Sequence, residues 1–411
     1  MTKLPVSVVI VSRGRPEALR RCLQGVAQLQ YPSFEVVLVS DPAGIKAAQN
    51  MPFAADLKLV PFDEPNISSA RNLGIVEAAG DVVAFIDDDA VPEPQWLRHL
   101  VTPAVQRDVA AMGGYVRGRN GISFQWKARS LDQLGETHPL SLEKNLPTVL
   151  HPPKGRAIKT EGTNMAFRRD VLIGLGGFDP AFHYFLDETD LNMRLARAGH
   201  ATALVPLAEV HHGFAANRMR RANRVPRDLF DIGASWAVFQ RKHVASSERG
   251  AQWARLRAAE RLRLLRHMVT GGLEPHSVRK LMRRLDLGFA EGLGRDLTSV
   301  KLPAHPAAPF KAFPARVRKS VVLPSRPLTF RRDLRTAAQR VKNGEIVTLM
   351  CLSVTAMFHH LSLNDDGVWV QRGGLFGKSD RKKPFFHMTT RSRRLEKEQR
   401  RVARQRGFGK D

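Results

Sequence analysis

Short apolar runs alternate with helix-forming segments along the first half of the chain, and this alternation limits the possible folds more than any other feature. Residues 6–11, 34–39 and 82–86 are continuous runs rich in Val, Ile and Leu, which is typical of strands buried on both faces of a parallel sheet. Between them, helical spacing of apolar residues and a Pro at position 16 predict helices. The pattern predicts an α/β fold with a mainly parallel sheet flanked by helices.

Three consecutive aspartates follow the apolar run at residues 82–86. Ligands of such sheets bind at the carboxyl ends of the strands. Asp87 and Asp89 point to the same side of an extended chain, because successive side chains alternate. Two carboxylates on one side, together with substrate phosphates, are a common way of holding Mg²⁺ or Mn²⁺. An acidic surface turn is the alternative explanation for these residues when they are considered alone.

The excess positive charge of the chain lies entirely in its second half. The 411 residues contain 65 Lys and Arg against 39 Asp and Glu, a formal net charge of +26. Residues 1–214 hold 22 basic and 23 acidic residues, so residues 215–411 carry a net charge of +27. This asymmetry predicts two parts with different tasks. We expect metal chemistry in the first, and in the second the binding of lipid headgroups, an anionic acceptor or nucleic acid.

Several motifs in the first half resemble those of family-2 glycosyltransferases. They are PVSVVIVS at residues 5–12, VLVSD at 37–41, NISSARNLGI at 66–75 and the acidic element at 87–89. The resemblance covers residues 5–214. It implies the GT-A fold and an inverting transfer of a sugar from a nucleotide-sugar donor, with a UDP-sugar favoured and Mn²⁺ or Mg²⁺ as cofactor. It further implies a set of residues that bind the donor: Asp41 at the base, and Ser12, Arg13, Arg71 and Asp88.

A second group of motifs resembles the acceptor side of the same family. EGTNMAFRR at residues 161–169, GGFD at 176–179 and DETDLNMR at 187–194 occur in the family's order. The resemblance implies that Glu188 is the catalytic base. Asp187 is the alternative, because the family most often has Asp where this chain has Glu188. The resemblance also implies contacts with the acceptor, for which the candidate residues are Gly162, Asn164, Asp190 and Arg194.

A histidine pair follows the last predicted strand of this half. His212 lies at the distance from Glu188 that the family leads us to expect. The resemblance implies that His212 joins Asp87 and Asp89 as the third metal ligand, since an imidazole is a suitable ligand for Mn²⁺. The QxxRW motif expected of processive polysaccharide synthases in this superfamily is absent, which predicts the transfer of one or a few sugars.

We expect the chain to consist of a catalytic domain and a basic, mostly helical extension. Residues 1–214 are predicted as the GT-A domain, 215–300 as Arg-rich amphipathic helices, 301–330 as a proline-rich linker, and 331–411 as a small basic module with a solvated helix or tail. Only two cysteines and no apolar stretch long enough to span a bilayer predict a cytoplasmic protein. Peripheral attachment at the inner face of the membrane is a further expectation.

The expected partners are a nucleotide-sugar donor, a glycan or lipid-linked acceptor, and an anionic membrane surface. Two other classes of function are open at this point: a GT-A-like binding protein without catalysis, and a basic protein that binds nucleic acid. The presence of both acidic elements and of His212 argues against the first. The chain lacks zinc-ligand spacing, RNP-like aromatic strands and a helix-turn-helix pattern, so no nucleic acid is expected among the partners.

Overall fold

The computed structural model describes residues 4–408, apart from residues 107, 214, 217, 298, 299, 381, 383 and 387. The strands of the first half are β1 (Val6–Ser12), β2 (Phe34–Ser40), β3 (Leu57–Pro61), β4 (Val82–Asp87), β5 (Ala90–Pro92), β6 (Val109–Arg117), β7 (Phe124–Trp126), β8 (Arg129–Asp132), β9 (Thr137–Pro139), β10 (Thr148–Leu150), β11 (Arg156–Ile158), β12 (Met165–Arg168) and β13 (Ala201–His212). Its helices are α1 (Pro16–Val26), α2 (Pro42–Gln49), α3 (Ile67–Glu77), α4 (Trp96–Leu100), α5 (Arg169–Gly174) and α6 (Asp187–Arg197).

The central sheet has the strand order β10-β13-β6-β12-β4-β1-β2-β3. Strands β3, β2, β1 and β4 run parallel, with Val9 opposite Val37 and Phe85. Both faces of these strands are covered by apolar side chains, which is why their sequences read as continuous apolar runs. Strand β12 lies antiparallel between β4 and β6, and β13 runs parallel to β6. The sheet flanked by helices confirms the predicted α/β fold class and is the arrangement expected of the GT-A fold.

Polar residues collect where the parallel strands end. Strands β1, β2 and β4 end at Ser12, Ser40 and Asp87, so these three residues lie along one edge of the sheet. Strand β13 ends at His212, and its antiparallel pairing with β5 sets His212 opposite Ala90, the residue directly after the acidic element. The fold therefore brings polar residues that are distant in sequence to one edge of the sheet.

Residues 215–300 are mainly helical, as predicted. The helices are α7 (Phe230–His243), α8 (Ser246–Val269) and α9 (Pro275–Gly294). Helices α7 and α9 pack closely, because Gly288 leaves room for the backbone of Phe230. Trp236 of α7 shares a buried cluster with Leu131 of the first half, so the two parts have a common core. Across the described residues, we find no helix with the uninterrupted apolar length that a bilayer span requires.

Residues 301–319 contain no helix or strand, in keeping with their prolines, but they pack against the sheet. Phe313 is buried, and its ring stacks on that of Phe34 with the centroids 5.2 Å apart. The Phe313 amide donates to the Phe34 carbonyl at 2.7 Å. The end of the predicted linker forms strand β14 (Ser320–Ser325). The segment is therefore attached to the first half along its length, and the predicted domain boundaries stay predictions.

The C-terminal module contains helix α10 (Phe330–Lys342), strands β15 (Ile346–Ser353), β16 (His360–Leu363) and β17 (Trp369–Gly374), and helix α11 (Arg391–Arg406). With β14 these strands form a sheet of order β14-β15-β17-β16. The prediction of a solvated C-terminal helix or tail is wrong, because one side of α11 is buried. Arg394, Glu398 and Arg406 are all buried there, and Arg406 forms an ion pair with the buried Glu93 of the first half at 2.8 Å.

Candidate active site

Two carboxylates and an imidazole converge at the edge of the central sheet. Asp87 ends β4, Asp89 lies two residues later, and His212 ends β13. One ligand atom from each residue lies within 4.8 Å of the others, and Asp89 Oδ1 is 3.1 Å from His212 Nε2. These are the three residues that the family resemblance implies as metal ligands, and the fold brings them together. We call them the Asp-Asp-His triad.

The donor set of the triad suits a divalent cation. Carboxylate oxygens and an imidazole are ligands that Mn²⁺ accepts, and Mg²⁺ also takes the carboxylates. Asp89 Oδ2 accepts from the Arg15 guanidinium at 3.2 Å and from the Ala215 amide at 2.8 Å, whereas Oδ1 faces His212. Burial alone raises the pKa of the Asp89 carboxyl, but His212 and Arg15 outweigh burial and hold this pKa well below its usual range. Asp89 is therefore ionised, as a metal ligand must be.

The middle aspartate of the acidic element has different partners. Asp88 is fully buried, forms an ion pair with Arg15, and accepts a hydrogen bond from Ser12 Oγ at 2.7 Å. Burial raises the pKa of Asp88, although Arg15 opposes this rise. The resemblance implies donor contacts for Ser12 and Asp88. In the structure these two side chains bind each other, and Asp88 anchors Arg15 beside the triad.

Helix α6 begins with a second acidic pair. Phe185 and Leu186, which precede it, have φ values of 81° and 66°, a left-handed conformation that costs energy for residues other than Gly. This turn starts the helix at Asp187, whose carboxylate forms an ion pair with the buried Arg71. The Arg71 guanidinium also lies 3.3 Å from Asp87. Arg71 therefore links the second acidic pair to the triad.

The two acids of this pair differ in partner and in exposure. The Asp187 side chain is 3% exposed, whereas that of Glu188 is 17% exposed and accepts from Lys159 Nζ at 2.6 Å. Burial raises the pKa of Asp187, opposed in part by Arg71. At Glu188 burial also raises the pKa, but the Lys159 ammonium outweighs burial and lowers it. Glu188 is thus the more accessible carboxylate of the pair and the one whose pKa is lowered.

One cavity of about 430 Å³ joins the two acidic elements. Its walls include the whole triad, both acids of the α6 pair, and the predicted residues Arg71 and Gly162. A neighbouring cavity of about 470 Å³ is lined by several residues at the ends of β1 and at the start of α3, among them Ser12, Arg13, Gly14, Asn66 and Ile67. Arg15 and Tyr184 line both cavities, so the two spaces adjoin.

Besides Asp88, four of the predicted binding residues lie outside these two cavities. Asp41 caps helix α2 and accepts from the amide of Gly14, which lines the larger cavity. Asn164 is fully buried and donates to backbone carbonyls of β6 and β13. Asp190 is fully buried and pairs with Arg194 at 2.8 Å. Asp41 thus fixes part of a cavity wall through Gly14, whereas the other three hold the surrounding backbone and helix α6 in place.

Several cationic residues of the site are not among those predicted. Besides Arg15 and Lys159, Arg220 lies 3.5 Å from Asp89. Arg15 lies three positions after the PVSVVIVS motif and Lys159 two positions before the EGTNMAFRR motif. Their closeness to motifs is a signal that could have identified them. Arg220 lies beyond residue 214, where the sequence resemblance ends, and only the tertiary structure shows that it lies at the site.

Comparison with known proteins adds independent support. A family model described as glycosyltransferase-like family 2 matches residues 4–229. Three similar proteins are the O-antigen biosynthesis protein RfbC of Myxococcus xanthus (28% identical, covering 57% of this chain and 19% of that protein), the pre-mycofactocin glycosyltransferase of Mycobacterium tuberculosis (24%, 70% and 60%) and the glucosyl-dolichyl phosphate glucuronosyltransferase of Haloferax volcanii (29%, 43% and 56%). The chain spans less than two thirds of the length of each of these relatives.

The matched region contains every element of the site described above. It includes both acidic elements, His212, and the cationic residues that surround them. Since the family model covers more than half of the chain, the chain belongs to glycosyltransferase-like family 2.

Proposed function

We propose that this chain is a metal-dependent, inverting glycosyltransferase of cell-surface polysaccharide or glycoconjugate synthesis. It moves one or a few sugars from a nucleoside-diphosphate sugar, with a UDP-sugar favoured, to a hydroxyl of a glycan or lipid-linked acceptor. The observation that carries the proposal is the 430 Å³ cavity, whose walls hold both the Asp-Asp-His triad and the acidic pair of α6. A place for the donor diphosphate and a base for the acceptor hydroxyl are what a one-step sugar transfer requires.

The charges around the triad support diphosphate binding. Asp87, Asp89 and His212 would hold the metal ion, which when bound supplies a Lewis acid for the departing diphosphate. Arg15 lines both cavities, and Arg13 lines the larger one, so guanidinium groups border the path of a phosphate chain that passes between the cavities. We assign the nucleoside to the 470 Å³ cavity.

Glu188 is the proposed general base. It is ionised because of its contact with Lys159, and its side chain is more exposed than that of Asp187. Glu188 takes the proton of the acceptor hydroxyl while the hydroxyl oxygen attacks the anomeric carbon and the nucleoside diphosphate leaves. A single displacement of this kind inverts the anomeric centre. Asp187 is assigned to positioning, because its carboxylate holds Arg71 between the two acidic elements.

The names of two relatives support the choice of acceptor. RfbC is named for O-antigen biosynthesis, and the Haloferax volcanii relative is named as a glucuronosyltransferase of glucosyl-dolichyl phosphate. A lipid-linked acceptor would lie at a membrane surface. We therefore place the proposed reaction on the cytoplasmic side, with the protein attached peripherally to the inner face of the membrane.

The variant Glu188→Gln tests the proposal. We expect its turnover to fall by about 100-fold or more, because a positioned general base contributes on the order of 10²–10⁴ to the rate. Donor binding should persist, since Gln preserves the size of the side chain. Turnover is measured as release of nucleoside diphosphate from the nucleotide sugar that most stabilises the wild type in a thermal-shift screen with Mn²⁺.

The matched control is Glu143→Gln, at an exposed position outside both cavities. It should retain wild-type turnover. Full turnover in Glu188→Gln would show that Glu188 is not the base. Loss of turnover in Asp187→Asn with retention in Glu188→Gln would assign the base to Asp187. If no nucleotide sugar stabilises the wild type, the proposed donor class is wrong.

A further inference from the structure

Six large apolar side chains lie exposed on two loops of the C-terminal module. One loop follows β15 and the other precedes α11, and we call the two together the aromatic loop surface. Its members are between 50% and 81% exposed: Val354, Met357, Phe358, Phe385, Phe386 and Met388. Apolar side chains scattered singly over a surface need no explanation, whereas a cluster of them marks a site of interaction.

The two loops form one continuous surface. The rings of Phe358 and Phe385 have their centroids 5.8 Å apart. Phe376 contacts both loops. Its amide donates to the Thr355 carbonyl at 3.1 Å, and the centroid of its ring lies 5.2 Å from that of Phe386. The exposed rings of Phe358, Phe385 and Phe386 therefore lie on loops that contact each other, and the other three apolar side chains lie on the same two loops.

A buried polar network holds the aromatic loop surface in place. Glu398 of α11 accepts hydrogen bonds from Ser379 Oγ and from the side-chain amide of Gln371, the latter at 2.9 Å. Arg394 donates to the Gly377 carbonyl at 2.8 Å. The four side chains are buried, so the loops rest on a fixed base. The exposure of the aromatic rings is thus built into the folded module.

Positive charge accompanies the patch. Residues 378–394 contain seven Lys or Arg and one acidic residue. Lys378 Nζ lies 5.8 Å from the centre of the Phe358 ring, and Lys382 is exposed. Aromatic rings that enter the headgroup region, beside cations that meet lipid phosphates, suit an anionic bilayer. A nucleic acid would engage the cations but would leave six apolar side chains unexplained.

A backbone hydrogen bond joins the segment after the first loop to a segment near the candidate active site. Just after the first loop, the Leu361 amide donates to the Asn120 carbonyl at 2.9 Å. Asn120 lies shortly before β7, whose Trp126 ring has its centroid 5.8 Å from that of His212. The side chain of Gln125, also in β7, is 3.3 Å from His212 Nδ1. A single backbone hydrogen bond and the residues leading into β7 thus join the segment that follows the first loop to the surroundings of His212.

We infer that the aromatic loop surface inserts into the interface of an anionic lipid bilayer and holds the protein there. The purpose of this binding, which is to present the active site to a lipid-linked acceptor, rests on the proposed function. The binding itself needs neither donor nor acceptor. The sequence favours membrane contact by the basic half as a whole, and the structure narrows that contact to two loops.

Sedimentation of the full chain with vesicles tests this inference. The vesicles contain phosphatidylcholine alone or phosphatidylcholine mixed with phosphatidylglycerol, at physiological ionic strength. We expect binding to the mixed vesicles, and we expect the double variant Phe358→Ser/Phe385→Ser to bind them at least about tenfold more weakly, because two apolar insertions are lost. The matched control Val269→Ser/Leu328→Ser removes two exposed apolar side chains elsewhere and should bind as the wild type does.

Several results would overturn the inference. They are no sedimentation of the wild type with mixed vesicles, an equal loss in both double variants, or wild-type binding by the Phe358→Ser/Phe385→Ser protein. A further result is that the wild type does not bind vesicles, while light scattering shows a dimeric wild type and a monomeric Phe358→Ser/Phe385→Ser protein. In that case the surface binds a second copy of the chain. Binding of UDP with Mn²⁺ in the absence of vesicles should be equal in all three proteins. Its absence from the wild type would contradict the proposed function and leave the vesicle result intact.

Discussion

At the scale of single residues, Lys159 sets the charge of the proposed base. Its ammonium lies 2.6 Å from Glu188 and outweighs the effect of burial, so that the pKa of Glu188 is lowered. A base acts only when deprotonated, so activity is lost as the pH falls through that pKa. In Lys159→Met the effect of burial, which raises the pKa of Glu188, is opposed only by Arg71 and a backbone hydrogen bond. We expect the acidic limb of the profile of kcat/KM against pH to move upward by roughly 1–3 pH units.

The control for this profile is Lys144→Met, which removes an exposed lysine from a loop outside both cavities. Its acidic limb should coincide with that of the wild type. An unmoved limb in Lys159→Met, measured with the same donor, would mean that Glu188 does not limit the rate at low pH. The role proposed for Glu188 would then be contradicted.

The sequence identifies residues that lie at strand ends better than residues whose neighbours come from distant elements. An apolar run and a motif together identify Asp87 and Asp89 as site residues, and both line the cavity in the structure. Asp190 lies in an equally acidic motif, yet it is fully buried because Lys242 and His243 of α7 pair with it. The motif gives no indication of these two partners, because they lie about 50 positions away in the sequence.

At the scale of elements, helix α11 is held to the first half of the chain by a buried ion pair. Arg406 binds both carboxylate oxygens of Glu93, and its guanidinium lies 4.4 Å from the centre of the Trp369 ring. The variant Arg406→Met removes the guanidinium partner of the buried Glu93 and leaves it only the contact with His211 Nε2 at 2.7 Å. We expect the free energy of unfolding to fall by about 3–5 kcal/mol, measured by denaturant titration at neutral pH.

Arg400→Met is the matched control, because Arg400 lies on the same helix and its side chain is 79% exposed. Its ion pair with Glu396 at the surface should contribute less than about 1 kcal/mol. Equal stability losses in the two variants would show that the contact with Glu93 has no special weight. A wild-type stability in Arg406→Met would show that α11 is not attached through this residue.

The predicted and observed strands and helices also show which elements the pattern of apolar residues alone can predict. Strands β1, β2 and β4 agree with their apolar runs to within a residue or two, because burial on both faces leaves little choice of side chain. Helix α11 reads as a solvated helix, because charged residues dominate it. Three of the five buried residues of α11 are charged, and only the tertiary structure supplies Glu93 as the partner of Arg406.

At the scale of the whole molecule, the excess charge of the second half is used partly inside the fold. Arg406 lies against the first half, and Arg295 donates to the Ala181 carbonyl from a buried position. The shared cluster of Trp236 and Leu131 likewise joins the helical segment to the sheet. A count of charges by sequence separates the chain into two parts, whereas the contacts join them. Membrane binding is assigned to the aromatic loop surface and to the cations beside it, and not to the second half as a whole.

We propose that Asp87, Asp89 and His212 bind a divalent cation that is needed to hold the donor diphosphate. Calorimetric titration of the full chain with UDP, in Mn²⁺ and in a chelator, tests it most directly. Asp89→Asn removes one ligand, and Asp108→Asn, whose side chain is 60% exposed, is the control. We predict that UDP binds the wild type and Asp108→Asn in Mn²⁺, and that the chelator or Asp89→Asn weakens binding by at least about tenfold. Equal affinity for UDP with Mn²⁺ and with chelator would contradict the claim.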